Sequence, residues 1–141
     1  MKLYPYIHFQ GNAEEALNFY AGALNGEIIS IQRYGDSPMQ SDEDYKDKVI
    51  HARLRFADNI VMVSDVFKGR PFSTQGNVDM SVEVEEENKI DDFFSKMAEG
   101  GSVVMPLEDT FWGARFGMLK DKFGVNWMFN HQKETNESQH S

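Results

Sequence analysis

The stretch Asp109–Asn130, DTFWGARFGMLKDKFGVNWMFN, decides the fold of this chain because it predicts one β-hairpin. Two runs rich in apolar and aromatic residues, Ala114–Lys120 and Val125–Asn130, have the composition of strands. The four residues between them, Asp121–Gly124, are typical of a turn. The remaining elements can be placed relative to this hairpin.

Three parts of the hairpin carry a resemblance to a known family: WGARFG at Trp112–Gly117, DKFG at Asp121–Gly124 and WMFN at Trp127–Asn130. Together with Pro5-Tyr6 and the segment NAEEALNFY at Asn12–Tyr20, they resemble the PhnB-like branch of the vicinal oxygen chelate superfamily. That superfamily includes glyoxalase I, extradiol dioxygenases and the bleomycin- and fosfomycin-resistance proteins. The resemblance implies an α+β fold of two βαβββ modules (the glyoxalase/bleomycin-resistance fold) with incurved mixed sheets, assembled as a homodimer.

An internal repeat supports the two modules. Ala13–Gly26 aligns with Asn88–Gly101 at an offset of 75 residues. Further along, His51–Leu54 aligns with Gly113–Phe116, which pairs Arg53 with Arg115. We therefore predict a single domain over residues 1–130, made of modules 1–66 and 77–130 with the joint at 67–76, followed by a disordered polar tail over 131–141.

The local pattern in each module predicts a strand, a helix and three further strands. Asn12, with Glu15 three residues later, has the pattern of a capping box at the first helix, and Asn88 with Asp91 repeats it at the second. The polar segment Gly35–Asp47 predicts a long loop, which is either a functional lid or a plain surface excursion. The predicted strands cover residues 3–9, 27–34, 49–56, 60–64, 78–84, 102–107, 114–120 and 125–130.

Composition excludes several classes of function. The 141 residues carry a formal charge of −9, so DNA and RNA, whose binding depends on Lys and Arg, are not expected partners. The absence of cysteine excludes disulfides, thiolate catalysis and cysteine-ligated metals. No apolar run reaches the roughly 18 residues of a membrane span, and no signal peptide is recognisable, so we expect a cytoplasmic protein without membrane partners.

The resemblance implies where a divalent metal would bind, because the superfamily places its His, Glu or Gln ligands at equivalent strand positions of the two modules. Those positions correspond here to Pro5, Val63, Met80 and Met128. None of these side chains supplies an imidazole nitrogen or a hard oxygen to a cation. We therefore expect no metal and no other cofactor at this site.

An alternative site with a divalent metal uses His8 and His51, which we take to be the histidines within the fold. With Glu83 or Glu108 they would form a set of two histidines and one carboxylate. The competing interpretation is that each histidine is a partly exposed strand residue with an ordinary hydrogen bond. The first interpretation predicts a metal-dependent lyase, isomerase or dioxygenase of the glyoxalase type with a rearranged site.

Without a metal, the implied cavity would have an apolar and adaptable lining, because methionine and aromatic side chains dominate it. The same side chains could instead fill an ordinary core. Arg115 could clamp a carboxylate or phosphate, or form a structural ion pair with one of the 23 acids. The predicted ligand-binding residues are Phe9, Met80, Trp112, Arg115, Trp127 and Met128.

The sequence favours a metal-free protein that binds a small-molecule ligand, with no assigned catalytic residue. Relatives of this branch have carried a methyltransferase label. However, no strand here runs into a glycine-rich turn followed by a helix, as a nucleotide-type cofactor site would need. A third hypothesis is a scaffold protein with a filled core and no small ligand.

Overall fold

The computed structural model describes residues 1–38, 42–70, 72–73 and 76–133. The chain divides into two compact units, Met1–Ser73 (unit 1) and Thr74–Ser141 (unit 2). Each unit contains the elements of a βαβββ module, which confirms the predicted α+β fold class. Unit 1 consists of β1 (Tyr6–Phe9), α1 (Ala13–Ala23), β2 (Glu27–Arg33), β3 (Val49–Phe56) and β4 (Asn59–Asp65). Unit 2 consists of β5 (Met80–Glu83), α2 (Glu87–Ala98), β6 (Ser102–Asp109), β7 (Ala114–Lys120) and β8 (Asn126–Gln132).

The sheet of unit 1 has the strand order β1-β4-β3-β2, in which β1 and β4 are parallel and the other pairs are antiparallel. Because side chains alternate along a strand, the sheet has two distinct faces. One face packs against α1 and is buried; it contains Phe9, Ala52, Leu54, Val61 and Val63. We call the opposite face the helix-free face of unit 1; it contains Tyr6, His8, His51, Arg53, Met62 and Ser64.

Unit 2 repeats this arrangement with the strand order β5-β8-β7-β6. Its buried core joins Leu119, Trp127 and Phe129 of the sheet to the apolar side of α2, where Ile90, Phe94 and Met97 lie. The helix-free face of unit 2 contains Ser81, Glu83, Phe116, Met118, Met128 and Asn130.

Gly117 sets how closely α2 approaches the sheet. A Cβ atom added there would lie 2.8 Å from Cε1 of Phe94 and 2.9 Å from Cα of Leu107. Both distances are shorter than normal carbon contacts, so the packing of helix against sheet requires the missing side chain.

The two predicted capping boxes are wrong. Asn12 makes no side-chain cap hydrogen bond, and α2 begins at Glu87 without a side-chain cap at Glu86. At α1 a residue distant in sequence supplies the acceptor instead. Oδ1 of the buried Asp65 accepts hydrogen bonds from Gly11 N at 2.8 Å and Ala13 N at 2.9 Å, and its Oδ2 accepts one from Val49 N at 2.9 Å.

The predicted tail begins too early. His131 and Gln132 belong to β8, where they pair with Arg115 and Ala114, and His131 is buried. His8 and His51 are therefore not the only histidines within the fold. Sequence periodicity missed this extension because the run HQ lacks apolar side chains, while strand pairing depends on the backbone. Residues 134–141 of the predicted tail lie outside the described residues.

The described part of the predicted loop 35–47 is fastened to the body of unit 1. Gly35 N donates to the carbonyl of Lys46 at 2.8 Å, and the hydroxyl of Tyr45 donates to the carbonyl of Val66. Lys68 forms ion pairs with Asp42 and Asp44. Residues 39–41 lie outside the described residues.

Membrane-spanning helices do not occur in the described parts of the chain, since neither α1, of 11 residues, nor α2, of 12, has the required length and hydropathy.

Candidate functional site

Strand register places a row of polar side chains across the helix-free face of unit 1. His8 on β1 lies opposite Ser64 on β4, and His51 on β3 lies opposite Gln32 on β2. The pairing of Ala52 with Val63 puts His51 opposite Ser64 when it is extended by one residue. Two imidazoles therefore flank the Ser64 hydroxyl on neighbouring strands, which are about 4.8 Å apart.

Hydrogen bonds and ring contacts join this row to Tyr6. Nδ1 of His8 lies 2.9 Å from the Ser64 hydroxyl, and Nδ1 of His51 lies 2.9 Å from the Tyr6 hydroxyl. The Tyr6 ring stacks on the imidazole of His8 with a centroid distance of 4.7 Å and an interplanar angle of 14°. Its contact with His51 is edge-on, at 5.7 Å.

Unit 2 has a polar pair at the equivalent position. Glu83 follows His8 by the repeat offset of 75 residues, and it lies opposite Asn130 as His8 lies opposite Ser64. The amide of Asn130 donates to Oε1 of Glu83 at 2.8 Å, and the backbone N–H of Gln132 lies 3.2 Å from Oε2. Each helix-free face therefore carries a cross-strand hydrogen-bonded pair at the same place in the module.

The electrostatic environment of His8 disfavours its charged form. Burial, followed by the positive charge of Arg70, lowers the pKa of His8 from its ordinary value near 6.5. The imidazole is therefore mostly neutral at neutral pH, and Arg70 supplies the permanent positive charge nearby. A second cation, Arg53, lies over the ring of Tyr4, with its guanidinium carbon 5.8 Å from the ring centroid.

The observed register corrects the positions assigned to superfamily metal ligands. Val63 lies on the face of its sheet that packs against α1, where it is fully buried. Met80 lies on the face of its sheet that packs against α2. Met128 is on the helix-free face of unit 2. Because a shift of one residue changes the face of a strand, His8 and Glu83 occupy the helix-free faces; the sequence analysis assigned them to the alternative metal site.

The six predicted ligand-binding residues lie in different environments. Phe9 and Trp127 are buried in the cores of units 1 and 2, and Met80 shares the face of Trp127. Trp112 is 54% exposed and contacts the rings of Phe111 and Phe116. Met128 lies on the helix-free face of unit 2, whereas Arg115 points toward α2.

Arg115 forms structural ion pairs. Its guanidinium lies 2.8 Å from the Asp91 carboxylate and 3.2 Å from that of Asp109. Lys133 also contacts Asp109, at 2.9 Å. These residues line an open cleft of about 360 Å³ in unit 2, together with Glu87 and Asn88. Arg53 is not the structural counterpart of Arg115, because it lies on the helix-free face of its own unit.

The alternative metal set of His8, His51 and Glu83 is only partly assembled within one unit. His8 and His51 share the helix-free face of unit 1. There His8 is hydrogen-bonded to Ser64, and His51 is hydrogen-bonded to Tyr6. Glu83 belongs to unit 2 and is bonded to Asn130. Across residues 1–38, 42–70, 72–73 and 76–133, no group of three histidine, aspartate or glutamate side chains is placed to hold a metal ion.

Sequence reasoning missed Tyr6, Ser64 and Asn130 as members of these sites. The signal for Tyr6 was present, because it alternates with His8 on one strand and therefore shares its face. Ser64 and Asn130 could be recognised only from the pairing register between strands distant in sequence.

Comparison with known proteins identifies the relatives of this chain. Residues 1–129 match the model of the family described as 3-demethylubiquinone-9 3-methyltransferase. The Escherichia coli (strain K12) protein YjdN is 30% identical over 146 aligned residues, which cover 95% of this chain and 97% of YjdN.

Two solved structures have the same fold. Protein PA1353 from Pseudomonas aeruginosa is 39% identical, with a TM-score of 0.86 and coverage of 95% of this chain and 99% of that one. The PhnB protein from Bacillus cereus is 33% identical, with a TM-score of 0.79 and coverage of 93% and 99%. Both structures belong to the glyoxalase, or vicinal oxygen chelate, fold.

Proposed function

Because the chain belongs to the PhnB-like family described as 3-demethylubiquinone-9 3-methyltransferase, which has the glyoxalase fold, we propose that it is a metal-free small-molecule-binding protein whose ligand binds on the helix-free face of a unit. The observation that carries this proposal is the repeated cross-strand pair, His8 with Ser64 and Glu83 with Asn130. Each pair lies on the face of its sheet that is opposite the helix of the same unit.

The donor chemistry of the pairs supports binding without a metal. In each pair one member, Ser64 or Asn130, is neutral and a weak ligand for divalent cations. The other member, His8 or Glu83, already uses a side-chain atom in a hydrogen bond to its partner. Within a unit, the residues therefore fit hydrogen bonding to an organic ligand better than they fit a closed metal site, and no reaction step is assigned to a metal.

Methyl transfer is not part of the proposal. Transfer from a nucleotide-type cofactor usually involves a parallel α/β sheet with a glycine-rich turn leading into a helix. In both units the sheets are mixed. The residues that lead into α1 are Gln10–Asn12 and those that lead into α2 are Glu85 and Glu86, and neither segment is a glycine-rich turn.

Metal analysis separates the proposal from its main alternative. Protein purified without affinity metals is measured by plasma mass spectrometry, before and after incubation with zinc, nickel, manganese or iron(II) followed by desalting. We expect less than about one metal ion per ten chains. Near-stoichiometric metal, lost on replacing both His8 and His51 by Gln, would instead support the metal-dependent lyase, isomerase or dioxygenase.

Ligand binding is tested with a panel of aromatic and aliphatic fragments monitored by two-dimensional NMR. We expect some fragments to shift signals of Tyr6, His8, Ser64, Glu83 or Asn130 saturably, with smaller shifts at the buried Phe9 and Trp127. His8→Gln should weaken that binding, while Lys96→Gln, on the exposed side of α2, serves as the matched control. Shifts confined to other surfaces would contradict the assignment of the site.

We also propose that the protein is a homodimer. On the edge strand β6, Val103, Val104 and Met105 are 49%, 62% and 47% exposed, which is an unusual apolar run for a free edge. Light scattering should give twice the 16.2 kDa mass of one chain, and Val104→Lys should shift the mass toward the monomer. A monomeric wild-type protein at micromolar concentration would contradict this.

A further inference from the structure

The helix-free face of unit 1 is positively charged in a protein whose formal charge is −9. Among the side chains that the described strand pairing places on this face, the cations are Arg53 and Arg55 and the acid is Glu27. Glu27 forms an ion pair with Arg55. Arg55 is four residues from His51 along β3, a distance of about 13 Å. Glu27 therefore lies away from His8 and His51, whereas Arg53 lies on the same face and the charge of Arg70 acts on His8.

An accessible π surface lies at the same place. The Tyr6 side chain is held by its stack on His8 and by the hydrogen bond to His51, yet the residue remains 40% exposed. A ring held at both its face and its hydroxyl loses little conformational entropy when a flat ligand packs against it.

His8 and Ser64 add polar groups beside this ring. Nδ1 of His8 is engaged with Ser64, so its Nε2 atom is the nitrogen that remains for a ligand. Burial first, and then the positive charge of Arg70, lower the pKa of His8, so an anion bound at this imidazole would be subject to the same positive charge. An anion there would offset the charge of Arg70 and permit the imidazole to take up a proton.

Resting on the proposed function, we propose that the helix-free face of unit 1 binds planar organic anions. The ring of the ligand packs on the Tyr6–His8 stack, and its carboxylate or similar group lies toward Arg70 and Nε2 of His8. Aromatic and enolic acids belong to this chemical class. The proposal names a ligand class for this face and assigns it no reaction.

The test compares two probes of the same shape and different charge, 2-naphthoate and 2-naphthamide, with the full chain. Binding is measured by calorimetry, and the titration of His8 is followed by NMR of its imidazole carbon protons. We expect 2-naphthoate to bind more tightly than 2-naphthamide and to raise the pKa of His8, with no such rise from the amide. Arg70→Gln should weaken 2-naphthoate about fivefold and leave 2-naphthamide unchanged.

Two further variants distinguish stacking from charge. Tyr6→Leu should weaken both probes, because it removes the ring without changing the charge. Arg115→Gln removes a cation from unit 2 and should change neither affinity. A circular dichroism spectrum and a melting curve for each variant establish that it is folded.

The possible outcomes separate the two proposals. Equal binding of both probes at Tyr6, or tighter binding of the amide, would overturn the preference for anions while leaving a small-molecule site at this face. Naphthoate binding that is unaffected by Arg70→Gln and Tyr6→Leu would also overturn it. Failure of both probes to bind, together with binding of other fragments at the helix-free faces, would reject the ligand class alone; failure of every fragment would reject the proposed function as well.

Discussion

Units 1 and 2 share one topology but hold the start of their helices differently. Phe9 lies opposite Asp65, and continuing the pairing of Glu83 with Asn130 by one residue puts Val84, 75 residues after Phe9, opposite His131. The carboxylate of Asp65 accepts three backbone N–H groups, whereas Nδ1–H of His131 donates to the carbonyl of Val84 at 2.8 Å.

Equivalent buried positions thus carry an acceptor in one unit and a donor in the other. His131 also lies near the first residue of α2, with Nε2 3.8 Å from the Glu87 carboxylate. The βαβββ topology therefore specifies a buried polar position here, while the local backbone decides which polar group satisfies it.

The largest expected effect comes from removing the acceptor in unit 1. Asp65→Ala should lower the free energy of unfolding by about 4 kcal/mol, because three buried N–H groups lose their acceptor. His131→Ala should lower it by about 2 kcal/mol, since it removes the hydrogen bond that His131 donates to the Val84 carbonyl and some packing. Urea unfolding followed by circular dichroism measures both. Equal losses would show that the two positions are energetically equivalent despite their different chemistry.

The second prediction concerns how tightly each helix lies on its sheet. Gly117→Ala should cost about 3 kcal/mol, because the added Cβ would contact Phe94 and the backbone of Leu107 at less than the normal distance. The equivalent residue of unit 1 is the buried Ala52, opposite Val63 as Gly117 is opposite Phe129. Ala52→Gly should cost only about 1 kcal/mol. A tolerated Gly117→Ala would mean that α2 can move away from its sheet.

The third prediction uses a group that is present in unit 1 alone. Burial, then the charges of Asp65 and Tyr34, raise the pKa of Tyr45 to about 12 from 10. Because the folded state holds this proton more tightly, the stabilisation is complete below about pH 10 and is lost as the pH rises toward 12. The loss should be about 2 kcal/mol, and Tyr45→Phe should reduce it. Urea unfolding at about pH 9 and about pH 11.5 tests this, with Tyr4→Phe as the matched control.

The smallest effect is expected from the surface ion pairs that join each helix to its sheet. Arg33 binds Glu14 in unit 1 through two contacts of 2.9 Å, and Arg115 binds Asp91 in unit 2. Because such pairs are partly exposed, Arg33→Gln and Arg115→Gln should each cost less than about 1 kcal/mol. The cost should fall further in about 1 M salt. A loss above about 2 kcal/mol at Arg115 would assign that residue a larger structural role.

Most of the fold could be predicted from the sequence because it depends on local periodicity. The predicted strands Val49–Phe56 and Ala114–Lys120 have the observed bounds. The first helix, α1, begins directly after Asn12 as predicted, and α2 begins two residues earlier than a cap at Asn88 implies. These elements alternate or repeat their apolar residues clearly, and glycines follow the helices.

The site was harder to predict because it depends on register between distant strands. An error of one residue in the register moves a side chain to the other face of the sheet. The observed pairing puts Val63 and Met80 on the face that packs against the helix, and not on the face where a ligand was expected. The acceptor at the start of α1 is likewise 52 residues from Ala13, so no capping pattern in the local sequence could reveal Asp65.

The three hydrogen bonds of Asp65 also couple the opening motions of segments that are far apart in the sequence. Gly11 lies just before α1, Ala13 is the first residue of α1, and Val49 is the first residue of β3. The carboxylate of Asp65 accepts a hydrogen bond from the backbone N–H of each. An opening that releases the carboxylate exposes these amides together. Their hydrogen exchange with solvent should therefore proceed at similar protection, which makes the start of α1 and the start of β3 one cooperative unit of motion.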